Sequence, residues 1–256
     1  MAEPLFSRSE DSVWTRAELR RRWELAREPG PDDVRGPRAL LLLNEFTWMV
    51  EPLKRVFRQH EVASSANPRS VMLLPGFGAH PIRMRYMARQ LEKAGHRVKR
   101  WGMGYNLGAT AERFGKVEER LIDLYDRRGE KLVLVGWSLG GVIARELAKH
   151  HPDKVAKVIT MGSPFSGSPR ANNGWRAYQA IAGHRVDEPE FEADPAAKPP
   201  VETVALWSPL DGVVRPRSAC GKPGERDRAR AVRCSHMGFV YSKDAIDTVL
   251  GELETI

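Results

Sequence analysis

From Ser70 onward the chain alternates short apolar runs with stretches of helical periodicity, and this alternation restricts the fold more than any other feature. The runs are Val71 to Leu74, Val98 to Trp101, Leu132 to Val135, Val155 to Met161, Val201 to Trp207 and Ala231 to Cys234. Each has the length of a strand buried on both faces. Between them apolar residues recur at spacings of three and four: Met84, Met87 and Leu91; Phe114, Val117, Leu121 and Leu124; Val142, Ile143 and Leu147; Ile246, Val249, Leu250 and Leu253. Strands separated by helices join through crossovers, so the pattern predicts an α/β chain with a mainly parallel sheet of about six strands, helices covering both faces.

The first 66 residues read differently. Thr15 and Glu18 form a T-x-x-E capping box with Trp14 and Leu19 placed as a hydrophobic staple, which predicts a helix from about Arg16 to Glu28, ended by Pro29, Gly30 and Pro31. A second, strongly apolar helix starts at Arg38 and carries Leu40 to Leu43, Phe46, Trp48, Met49 and Val50; Pro52 should kink or restart it before Leu53, Val56 and Phe57. Such a helix does not stay in water. It either packs on the domain, or serves as a substrate-facing cap or a peripheral contact with a membrane surface. Residues 166–200 interrupt the later alternation with Gly, Pro and Asn around a short helical core at Trp175 to Ile181, a place for a small cap. The expected organisation is a helical extension over 1–66 and an α/β domain over 67–256 that contains this cap.

With 256 residues the chain can bury one large core, and no apolar run approaches the roughly 20 residues of a membrane span. The amino terminus lacks the basic start and apolar stretch of a secretory signal, so the cytoplasm is the expected location. Two cysteines, Cys220 and Cys234, are too few for a disulfide scaffold and lack the paired spacing of a zinc site; no metal is expected. The net charge of +8 invites an anionic partner. The basic residues are scattered, however, over Arg20 to Arg22, Arg97 to Arg100 and Arg226 to Arg233, and no nucleic-acid-binding module accompanies them, so no nucleic-acid partner is expected.

The segment GWSLGG, residues 136–141, follows the third apolar run and precedes a helical stretch. In an open parallel sheet ligands bind beyond the carboxyl ends of the strands, where this segment lies. The G-x-S-x-G spacing suits a sharp strand-to-helix turn that strains the serine and leaves no room for side chains two residues away. Ser138 is therefore the candidate nucleophile. A serine hydroxyl needs a base to take its proton, and in such a strand-turn-helix site the chain order is Ser, then Asp or Glu, then His. Of seven histidines, His60, His80 and His96 precede the serine, His150 and His151 lie on its own helix, and His184 falls in the cap. His236 alone follows the last strand, and it is the candidate base. Asp211, in Pro209-Leu210-Asp211-Gly212 after the fifth run, is the candidate acid; its other use is an Asp-Gly turn, and Asp227 is the weaker competitor.

A developing oxyanion needs two fixed backbone donors. The N–H of Leu139, next to the nucleophile, is one. The loop Pro75-Gly76-Phe77-Gly78-Ala79 after the first strand offers the N–H of Phe77 as the other. Phosphate binding by that loop is disfavoured, because both GxGxxG and GK[ST] are absent.

On LLPGFGAHPIRMRYMARQLEKAGHRV, the run Trp101 to Gly108, VGWSLGGVIAREL, VITMGSPFSG, WSPLDGVV and CSHMG, the chain resembles the α/β-hydrolase superfamily, within it the bacterial lipase-like and esterase-like branch. The resemblance covers about residues 70–254 and leaves the first 66 residues unmatched. It implies a Ser138, Asp211, His236 triad, oxyanion donors at Phe77 and Leu139, no cofactor, and a small-molecule or lipid-like ester as substrate. Pro75 stands where many lipases carry histidine; a backbone donor tolerates that change. Thioester or amide cleavage and acyl transfer use the same triad, and a catalytically silent binding protein is the alternative outside enzymes.

Overall fold

The computed structural model describes residues 15–46, 61–190 and 193–255. The staple residue Trp14, the second half of the apolar helix with Trp48, Pro52 and Phe57, and the cap residue Phe191 lie outside the described residues.

Six strands form one sheet: β1 (Ser70–Leu74), β2 (Arg97–Arg100), β3 (Leu132–Trp137), β4 (Val155–Met161), β5 (Glu202–Trp207) and β6 (Arg228–Ala231). All five pairings are parallel, in the order β2-β1-β3-β4-β5-β6. Because β1 and β3 are buried on both faces, successive residues feed different cores. On one face Val71, Leu73, Val133 and Val135 meet Met87 and Leu91 of α3 (Arg85–Lys93), together with Ile246, Val249 and Leu253 of α7 (Lys243–Leu253). On the other, Met72, Leu74, Leu132 and Leu134 meet Phe114, Val117, Leu121 and Leu124 of α4 (Ala111–Arg128), with Ile143 and Leu147 of α5 (Leu139–His150). The helical periodicities read from the sequence are these buried faces.

The last strand departs from expectation: it runs over Arg228–Ala231, not Ala231 to Cys234. Its register against β5, Val204 opposite Arg228 through Trp207 opposite Ala231, puts two arginines in an edge strand. Both are held by the buried carboxylate of Glu252 on α7, Arg228 at 2.6 Å and Arg230 at 2.7 Å. The apolar Val232 and Cys234 come after the strand and fill the core beneath the following loop. Cys220 and Cys234 are unpaired thiols.

The amino-terminal segment is tied to the cap. Helix α1 (Arg16–Arg27) begins where Thr15 Oγ1 accepts the Glu18 N–H at 3.2 Å, the threonine half of the capping box, while the Glu18 carboxylate accepts from Arg22 at 2.7 Å. It lies along the cap helix α6 (Trp175–Ala182): Arg22 donates to the carbonyls of Ala180 and Ile181, and Gln179 Nε2 donates to Leu25 O at 2.8 Å. Arg170 joins Glu28 and Asp187, each at 3.1 Å. Helix α2 (Ala39–Glu45) leaves Leu40, Leu43 and Phe46 exposed while burying Glu45. Among the described residues no helix is long and apolar enough to cross a membrane. At the other end of the cap, the fully buried Arg145 of α5 donates to the carbonyls of Pro195, Ala196 and Ala197 and stacks on the Phe165 ring at 4.1 Å. Burial pushes this guanidinium down to about 10.

Candidate active site

Strand β3 ends at Trp137 and helix α5 begins at Leu139, so Ser138 alone makes the turn. Its φ of 54° and ψ of −123° make it the one non-glycine residue at positive φ among the described residues. A backbone held there costs on the order of 1–3 kcal/mol and persists only where its surroundings enforce it. They do so here through closeness. A Cβ at Gly136 would stand 2.4 Å from Gly140 O, and one at Gly140 would stand 2.2 Å from Leu74 O at the end of β1. The second contact is with main chain that cannot swing away. Gly140→Ala is therefore expected to destabilise the fold by about 3 kcal/mol or more, read as a fall in thermal midpoint; an unchanged midpoint would show that the turn has room for the added methyl.

Asp211 lies in the loop after β5 and is 1% exposed. Its two oxygens divide two tasks: Oδ1 accepts the N–H groups of Val213 and Val214, both at 2.8 Å, and Oδ2 faces His236 Nδ1 at 2.8 Å. The turn and the histidine pairing are thus not rival uses of this residue. Asp227 sits at the opposite end of β5, accepting the Thr203 N–H at 2.8 Å and pairing with Lys198 at 3.1 Å. It is remote from His236 and serves its own loop.

His236 is buried beside the rings of Trp137 and Phe239, and Trp137 Nε1 donates to its carbonyl at 3.0 Å. Burial alone would lower its pKa, but the Asp211 carboxylate, its hydrogen bond and the charge of Glu45 outweigh this and hold it above the ordinary value. With a proton on Nδ1 toward Asp211, Nε2 keeps a lone pair able to accept one. Glu45 reaches this loop from α2. Its Oε1 accepts the N–H groups of Gly212 and His236, and Oε2 accepts that of Met237, all at 2.8 Å.

Ser138, His236, Phe77 and Leu139 all line one cavity of about 320 Å³ whose wall is mostly apolar. Leu139 opens α5, where a first-turn N–H has no acceptor within its own helix. The loop carrying Phe77 is braced by Asn106, fully buried, whose Nδ2 donates to Pro75 O at 2.8 Å and whose carbonyl accepts the Gly78 N–H at 2.7 Å. Trp175 and Tyr178 of α6 close the cavity from the cap. Tyr178 sets its ring 5.1 Å from that of Phe77, while its oxygen accepts the Ala109 N–H at 3.2 Å and lies 3.3 Å from His184 Nε2. Burial pushes this phenol up to about 12.

Four of the five residues singled out from the sequence therefore line a single space, the fifth, Asp211, meets it through His236, and three that were not singled out support it: Glu45, Asn106 and Trp137. Asn106 and Trp137 stand inside the quoted motifs without a sign of their task. Glu45 did carry a signal, since a carboxylate inside the apolar run Leu40 to Phe46 must find donors when buried.

A model of the α/β-hydrolase fold family matches residues 116–219, a segment that contains Ser138 and Asp211. Curated relatives are named pimeloyl-acyl-carrier-protein methyl ester esterases. That of Vibrio vulnificus is 30% identical over 113 residues, 43% of this chain and 42% of the relative. That of Aromatoleum aromaticum is 33% identical over 137 residues, 51% of this chain and 53% of the relative. The chain thus spans about half the length of these relatives, or less. Among solved structures, the monoacylglycerol lipase of Paleococcus ferrophilus superposes with a TM-score of 0.51 at 16% identity, over 77% of this chain and 99% of its own. A 2-hydroxy-6-oxo-6-phenylhexa-2,4-dienoate hydrolase from Rhodococcus does so with a TM-score of 0.53 at 17% identity, over 75% and 92%. At such identities the structures speak for the fold, and with the matched segment and the six-stranded parallel sheet they agree on one conclusion: the chain has the α/β-hydrolase fold.

Proposed function

We propose that the chain is a serine hydrolase that cleaves carboxylic esters through an acyl-enzyme on Ser138. His236 Nε2 takes the hydroxyl proton as Ser138 Oγ attacks the carbonyl carbon, and returns it to the leaving alcohol. Asp211 orients the imidazole and offsets the positive charge it acquires. The N–H groups of Phe77 and Leu139 receive the negative charge that develops on the carbonyl oxygen, and water, activated by the same histidine, then releases the acid. The observation that carries the reading is the 2.8 Å pairing of Asp211 with His236 at a cavity that also holds a strained serine. The esterase names of the curated relatives support the reaction class, and the mostly apolar wall suits an apolar acyl group. In this reading residues 1–66 are an extension to a hydrolase domain over 67–256 whose cap covers the acyl site. Thioesters, amides or an acyl acceptor other than water would use the same residues.

Incubation with a fluorophosphonate, followed by peptide mapping, tests the proposal together with a panel of chromogenic esters. A single adduct on Ser138 and turnover of at least one ester are expected. An intact protein that acquires no adduct on Ser138 is not a working serine hydrolase.

A further inference from the structure

We infer that Glu45, contributed by the amino-terminal segment, is a positioning residue for the catalytic base: it clamps the loop of Asp211 to the loop of His236 and so sets where the imidazole stands. The inference rests on the proposed triad and adds to it a residue that comes before the first strand of the sheet. Its basis is geometric. One carboxylate, in a side chain 8% exposed, accepts three backbone N–H groups at 2.8 Å, from Gly212 beside the acid and from His236 and Met237 at the base. The two loops follow different strands, β5 and β6, and Glu45 Oε1 accepts from both. Gly212 has no side chain because α2 occupies the space: a Cβ there would stand 2.4 Å from Leu41 O. Helix, glycine and carboxylate therefore form one fitted contact.

The groups that face His236 are the Asp211 carboxylate on its ring, the Glu45 carboxylate on its backbone, the rings of Trp137 and Phe239, and Ser138 across the cavity. Both charges are negative. Besides fixing the loop, Glu45 thus adds to the field that favours the imidazolium formed when Ser138 attacks.

Glu45→Gln tests this, because the amide keeps the shape. Its oxygen still accepts two of the three N–H groups, while its NH2 group confronts the remaining donor and the charge is gone. The variant is expected to lower kcat by about 10-fold or more with little change in KM, as small displacements of a reacting group do. The acid limb of its kcat/KM profile should move to lower pH, since removing a negative charge lowers the pKa of His236 and the base is already free at more acidic pH. Glu45→Asp, which restores the charge, should return the limb toward its original position. Circular dichroism and thermal unfolding confirm that each variant is folded. A folded Glu45→Gln protein with the original kcat and acid limb would overturn the inference, as would a loss of stability with no movement of the limb. Failure of the triad reading is distinguishable, since the unaltered protein would then neither label on Ser138 nor turn over esters.

Discussion

Replacement of Ser138 by alanine is expected to lower kcat/KM for ester hydrolysis by about 10⁵-fold or more, the scale on which loss of a serine nucleophile acts when its partners have nothing left to activate. The substitution is clean. Alanine keeps the Cβ, so the strained turn between β3 and α5 stays as it is, and the neighbours of Gly136 and Gly140 are untouched. The residual rate should be nearly indifferent to a further change at His236, because the residues of a triad act as a unit. Burst kinetics and fluorophosphonate labelling should vanish together. If Ser138→Ala hydrolyses esters well above background, the nucleophile lies elsewhere and the proposed mechanism fails at its first step.

The second large effect is expected at Asp211. Asparagine keeps Oδ1 for the Val213 and Val214 N–H groups but can present NH2 where Oδ2 met His236 Nδ1. The imidazole then places its proton on Nε2, the atom that must accept one, and a loss of about 10⁴-fold in kcat follows. Asp227→Asn supplies the contrast. That carboxylate serves Thr203 and Lys198 at the far end of β5, so its removal should cost stability and leave kcat within a few-fold of the original. Equal losses from the two substitutions would mean that Asp211 does not act through His236.

The proposed nucleophile, acid and base were legible as candidates because each stands beyond the carboxyl end of a strand in a fixed order, and because a one-residue turn leaves the mark of flanking glycines. The sheet was legible for a similar reason: strands buried on both faces are continuous apolar runs. The edge strand β6 was misplaced by three residues because its faces are served by ion pairs to Glu252, which apolar periodicity cannot register. Glu45 was passed over for a related cause. Its donors are backbone groups of residues 212, 236 and 237, and nothing local to α2 announces partners so distant along the chain. The bracing of the Phe77 loop by Asn106 is of the same kind, a polar side chain satisfied by main chain from another segment.

The two outermost strands of the sheet bear on the charge of the chain. β2 reads Arg-Val-Lys-Arg and β6 reads Arg-Ala-Arg-Ala, so the two outermost strands among the described residues are the most basic of the six. A second copy adding its own edge to either end would bring cations directly against cations, and the carboxylates of Glu130, Glu202 and Glu252 that accompany these arginines already have partners within the molecule. Like charges across a strand pair oppose association. Among the described residues the two outermost strands are therefore the least suited of the six to take on a further strand of their own kind.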